Sequence, residues 1–94
     1  MKKQSRGTSQ VEILARALKA EEGSLSAEAA RSILRLHLDQ SDRERAHELV
    51  VKNQEGQLSE EELAELDNYR RVGHLLDLLA SKARLSLKRL GQSA

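Results

Sequence analysis

Aromatic side chains are nearly missing from this 94-residue chain, which has one Tyr, no Phe and no Trp. A core then has to be assembled from aliphatic groups, each worth about 1.5–3 kcal/mol on full burial. The supply is 17 Leu and 11 Ala. Cysteine is absent, which excludes a disulfide scaffold and any Cys-based zinc site. Proline is absent and glycine numbers only five, so few residues interrupt helices. Val and Ile total six, too few for a sheet protein. No apolar run approaches the roughly 18 residues of a membrane span. The opening Met1-Lys2-Lys3-Gln4 leads into no apolar stretch, so no secretory leader is expected and a cytoplasmic location is. These absences predict an all-α chain with no membrane contact.

What is present is charge and helix-start chemistry. The net charge of +1 conceals segregation: residues 1–20 carry +4, residues 21–68 carry −8, and residues 69–94 carry +5. Basic ends around an acidic middle predict charge pairing, within the chain or between chains. Ser9-Gln10-Val11-Glu12, Ser41-Asp42-Arg43-Glu44 and Ser59-Glu60-Glu61-Glu62 each fit a capping box, in which Ser and Glu satisfy each other's orphan backbone donors. Ser26 follows the Gly23-Ser24 break, with Leu25 placed to staple towards Ala30; Leu58 and Leu63 are a similar staple pair. Four helices follow. The first runs from Ser9 to Glu22 and is stopped by Gly23; the second runs from Ser26 to Leu38. The third runs from Ser41 to Glu55 and is stopped by Gly56. The fourth runs over 59–90, about 32 residues and about 48 Å. Residues 9–90 are expected to form a single helical domain, between a flexible basic N-terminus at 1–8 and a flexible tail at 91–94.

The long helix is the informative element. Leu66, Tyr69, Gly73, Leu76, Ala83 and Leu87 fall on or near one heptad seam, and Leu79 widens it. Three short helices cannot easily cover a helix of this length all round. The remainder is expected to meet a second copy or another protein, making the chain a dimer or a hetero-complex. Arg70, Arg71, Lys82 and Arg84 would then set register or steer an acidic partner. The alternative is that the helix breaks at Gly73 and folds back into a closed monomer, since a mid-helix Gly costs about 1 kcal/mol against Ala.

No catalytic signature accompanies these features, and no cofactor is expected. His74 and Asp77 share a helix face, but no nucleophile is paired with them, and a hydrogen-bonding role is favoured. His37 sits near the expected end of the second helix, where a cationic His suits the dipole. Glu44-Arg45-Ala46-His47 matches one Glu-x-x-His unit of a di-iron bundle. A metal-binding bundle centred on Glu44 and His47, with Glu62 or Glu65 added, is therefore a minor alternative. Lys2, Lys3, Arg6 and the basic run from Lys82 to Arg89 could touch phosphates, so a nucleic-acid-binding regulator is the main alternative. Against it, the acidic middle repels a phosphate backbone and no reader motif is present.

The stretches DRERAHEL (42–49), KNQEGQLSEEEL (52–63), DNYRRVGHLL (67–76) and SKAR (81–84) resemble a group of small, largely uncharacterised bacterial helical proteins. These are of planctomycete and cyanobacterial type and are often encoded beside an HNH-type endonuclease. The resemblance covers residues 42–89. It implies an antitoxin-like or accessory partner of a nuclease. It carries over no catalytic residue, because the HNH chemistry would lie in the neighbour.

Overall fold

The computed structural model describes residues 9–91. The expectations for residues 1–8 and 92–94 lie outside the described residues. The fold is all-α: helices α1 (Gln10–Leu18), α2 (Ala27–Leu34), α3 (Gln40–Gln54) and α4 (Glu60–Arg89), with no strand among the described residues.

Three of the four starts are set by serine. The Ser9 hydroxyl accepts the Glu12 N–H at 3.1 Å, and the Glu12 carboxylate accepts the Ser9 N–H at 2.7 Å. Ser59 and Glu62 exchange the same two bonds, both 3.1 Å, at the head of α4. The Ser26 hydroxyl accepts the Ala29 N–H at 3.1 Å. Each satisfies donors that a helix start otherwise leaves orphaned.

The ends and one start depart from expectation. α1 stops at Leu18, because Lys19 turns into the left-handed region at φ 51°. α2 stops at Leu34, and its last turn tightens as the Leu36 N–H donates to the Ile33 carbonyl at 3.0 Å. α3 starts at Gln40 behind Asp39, not behind Ser41. Ser41 is already helical, so its capping box does not form; the Glu44 carboxylate takes the Gln40 side-chain amide at 3.1 Å instead. Arg43 reaches back to donate to the Leu38 carbonyl, holding the chain extended before α3. His37 therefore lies beyond α2 and not in its last turn. The end of α3 is as expected. Gly56 takes φ 70°, the Gly56 N–H bonds the Asn53 carbonyl at 3.0 Å, and the Gln57 N–H bonds the Lys52 carbonyl at 2.9 Å. That is a Schellman closure, which needs a residue without a Cβ penalty.

α4 is 30 residues long, about 45 Å. It continues through Gly73 without a break, so the fold-back alternative is not what forms.

Within the residues expected to form one domain, two compact units are distinguished, both using α4. One comprises the chain up to Leu36 together with the chain from His74 onward. Its interior is Ala30, Ala83 and Leu87, with Leu25, Ala27, Ile33 and Leu34 packed against them. The other is His37–Gly73, with Leu49 of α3 and Leu66 of α4 buried inside it.

Gly23 has a different task from the one its position suggests. It does not end α1; it is buried where the chain crosses α4. A Cβ there would stand 2.9 Å from both the carbonyl carbon and the oxygen of Leu85. Those are helix backbone atoms and cannot step aside. At Gly73 a Cβ would meet nothing within 4 Å. The same substitution should therefore have opposite signs. Gly23→Ala is expected to cost about 1–3 kcal/mol through overpacking. Gly73→Ala is expected to gain about 1 kcal/mol through helix propensity. Urea denaturation of both variants checks the pair, and equal effects would contradict the packing described.

Candidate interaction surface

In the unit built around the end of α4, Lys82 is only 6% exposed. Its ammonium donates to the Lys19 carbonyl at 3.0 Å, the Glu22 carbonyl at 2.8 Å and the Ser24 hydroxyl at 3.0 Å. An ammonium has three N–H groups, and all three are used. One turn on, the buried Ser86 hydroxyl donates to the Lys82 carbonyl at 2.8 Å and accepts the Leu25 N–H at 3.1 Å. Arg89 adds a longer bond, 3.3 Å, to the Gly23 carbonyl. These side chains clasp the α1–α2 connection onto α4. Lys82 also meets the carbonyl of Lys19, the residue that caps α1, and the C-terminal end of a helix favours a cation.

The eleven residues expected to meet a partner are therefore divided. Leu66, Ala83, Leu87 and Lys82 are buried by the chain itself. Tyr69, Gly73, Leu76 and Leu79 are half-buried. Arg70, Arg71 and Arg84 are exposed. Part of the apolar seam thus faces inward: Ala83 and Leu87 pack with residues of α2, and Leu66 is buried in the unit that holds α3. As a correction, Lys82 does not project towards a partner or a phosphate, because its charge is spent on three internal oxygens. Of the exposed arginines, Arg71 donates to the Asn68 side chain at 2.6 Å and Arg70 lies 3.7 Å from Asp67.

In the other unit, α3 and the head of α4 are tied by polar side chains. Arg45 grips Glu65 through two bonds, 2.9 Å and 2.8 Å, and reaches Glu48 at 2.8 Å. Lys52 pairs with Glu62, and the Tyr69 hydroxyl donates to Asp42 at 2.8 Å. The Lys52 hydrogen bond holds the Glu62 carboxyl below its ordinary range, and the Arg45 guanidinium does the same to Glu65. Donating to Asp42 pushes the Tyr69 hydroxyl up. A carboxyl depressed in the fold stabilises it above its ordinary value near 4.5, and that contribution is lost as pH falls through the depressed value. Acidification below about 4.5 should loosen residues 37–73, followed by amide exchange. Glu62→Gln together with Glu65→Gln should flatten that acid limb, and an unchanged limb would contradict the assignment.

Those ties also bear on the metal alternative. Glu62 and Glu65 are engaged by Lys52 and Arg45, while Glu44 binds Gln40. Among the described residues no three His, Asp or Glu side chains converge as a metal site requires.

What remains open is apolar surface on α1. None of its residues is buried; Ile13 is 51% and Leu14 40% exposed, while Val11, Ala15 and Leu18 are half-buried. Beside it lies an open hollow of about 380 Å³, bounded by Ala15, Ala20 and Leu78 and rimmed by Arg16, Lys19, Glu21 and Glu22. Sequence reading placed the partner surface on α4 and passed over α1, although Val11, Ile13, Leu14 and Leu18 crowd into nine residues. Among the described residues no helix is long and apolar enough to cross a membrane. Compared with protein-family models, with curated proteins and with solved structures, the chain has no significant match.

Proposed function

We propose that this chain is a non-enzymatic helical interaction module of the cytoplasm, acting as an antitoxin-like or accessory partner of a nuclease. The observation that carries the reading is α1, an amphipathic helix that buries none of its side chains and leaves Ile13 and Leu14 exposed. Such a stripe beside an apolar hollow fits a groove-and-helix contact with another protein. The nuclease enters through the resemblance of residues 42–89 to helical proteins encoded beside HNH-type endonucleases. The test is to mix the purified chain with an HNH-type endonuclease from the same organism and follow co-elution and cleavage of duplex DNA. Co-elution that Ile13→Asp with Leu14→Asp abolishes supports the reading. Absence of any complex at high micromolar concentration of both proteins overturns it.

A second reading, a nucleic-acid-binding regulator, is favoured by one observation. The unit containing α1, α2 and the end of α4 has eleven Lys and Arg against five acids. Residues 37–73 carry ten acids and only five bases, so the acids that would repel phosphate fall mostly in the other unit. Affinity for duplex DNA falling steeply between about 0.05 and 0.2 M salt would support it, and no binding at the lower salt would remove it.

A further inference from the structure

The hollow beside α1 has a rim of unspent charge. Arg16, Lys19, Glu21 and Glu22 are all exposed, and none of their side chains makes a hydrogen bond or ion pair among the described residues. The bases come from α1 and its cap, and the acids from the connection that follows. The floor is apolar, and a volume of about 380 Å³ leaves room for a branched aliphatic side chain. Such a side chain stands next to the rim. Ile13, 51% exposed, precedes Arg16 by three residues, so the two are neighbours on one helix surface. Knob, rim and hollow all belong to the same compact unit. α1 itself is short of cover. An isolated helix below about 12–15 residues is marginal in water, and α1 has nine, none of them buried.

A rim with two charges of each sign selects neither an acidic nor a basic partner. It is, however, complementary to itself after a half-turn. We infer that α1 and its hollow receive the same surface of a second copy, about a two-fold axis near Ala17. The Ile13 side chain of each copy enters the hollow of the other. Arg16 and Lys19 meet Glu21 and Glu22 of the second copy, and each contact occurs twice. Ala17, exposed and one turn after Ile13, has only a methyl group and lets two antiparallel α1 helices approach. A nine-residue helix and one hollow fall short of the roughly 1,200 Å² of a standard interface, so pairing is of modest affinity and fills at high micromolar concentration. This deepens the interaction-module reading and rests on the same α1 stripe, for which a second copy and another protein then compete. The purified chain tests self-pairing without any nuclease, and co-elution reads the nuclease complex, so each can fail alone.

The test is the solution mass of the full chain, measured by sedimentation. At high micromolar concentration the mass should be twice 10.5 kDa. Ile13→Asp should raise the dissociation constant at least about tenfold, because pairing would bury the new charge. Arg16→Glu with Lys19→Glu makes the rim wholly acidic, and Glu21→Lys with Glu22→Lys makes it wholly basic. Each double variant alone should be a single copy at about 0.15 M salt. Mixed one to one they should pair, and Ile13→Asp in either should abolish the mixed pair. A damaged fold would not be repaired by mixing. Because the chain has no cysteine, Ala17→Cys gives a second readout. It should cross-link two copies under mild oxidation, whereas Glu28→Cys, exposed on α2, should not. A wild-type single copy at high micromolar concentration, unchanged pairing in Ile13→Asp, self-pairing of either one-sign rim, no pairing of the mixture, or equal cross-linking by the two cysteines would each overturn the proposal.

Discussion

Replacing Lys82 with Met should destabilise the chain by about 2–4 kcal/mol, although it keeps the length and apolar stem of the side chain. Three oxygens lose the ammonium at once: the Lys19 and Glu22 carbonyls of the α1–α2 connection and the Ser24 hydroxyl, although the Lys19 carbonyl keeps the Glu22 N–H at 2.9 Å. Hydrogen bonds to a charged group are worth about 1.5–3 kcal/mol each. They do not add fully here, because a surface connection can admit water to some of its carbonyls. Lys19 enlarges the effect. It is the one non-glycine residue at positive φ among those described, a conformation that costs about 1–2 kcal/mol and needs support. Its carbonyl is one of the three acceptors. Without the ammonium, residues 19–26 should gain amide exchange first, and α1 with them. Lys82→Arg should not substitute, since a planar fork cannot aim three donors at convergent oxygens. A loss below about 1 kcal/mol for Lys82→Met would mean that the clasp contributes no more than an exposed side chain does.

The helix starts were legible because a cap is local chemistry. Ser9 and Glu12, or Ser59 and Glu62, meet across one turn wherever the rest of the chain goes. The 30-residue span of α4 was legible from its cap and its C-terminal glycine, but the open alternative of a break at Gly73 could be decided only by the structure, in which the helix continues through it. Gly23 was misread because a glycine near a helix end looks the same whether it supplies a left-handed turn or lets two backbones touch. Only the position of Leu85, 62 residues on, separates the two. Ser41 was misread because α3 begins two residues earlier, at Gln40 behind Asp39, whose side chain makes no capping hydrogen bond. The cover of the apolar seam was the hardest feature to read: Leu66, Ala83 and Leu87 are buried within the chain, while Tyr69, Gly73, Leu76 and Leu79 stay half-buried. Periodicity marks a face, but it does not say which neighbour covers it. Lys82 was assigned to the surface on its charge alone, yet Leu75, Leu79, Lys82 and Ser86 follow one heptad spacing. A lysine with serine one turn later, each followed directly by a buried apolar residue, Ala83 or Leu87, was the available signal for an internal cation.

Leu49→Ala should be the most damaging single truncation in residues 37–73, costing about 2–5 kcal/mol. α3 buries only this side chain, and every other residue of the helix is half-buried or exposed. A helix of fifteen residues is marginal in water without packing. The bonds of Arg45, Lys52 and Asp42 to α4 remain in the variant. Their side chains stay in contact with solvent, however, where ion pairs contribute little and are screened by salt. Burial and pairing can thus be weighed against each other directly. If burial holds α3, Leu49→Ala lowers helical circular dichroism by about the share that fifteen residues contribute, and Arg45→Gln has a small effect that vanishes at high salt. If the polar ties hold it, the order reverses, and Arg45→Gln unwinds α3 while Leu49→Ala does not. Val50 and Val51 provide the internal control. Both are 37% exposed, so truncating either should change stability far less than Leu49 one or two positions away.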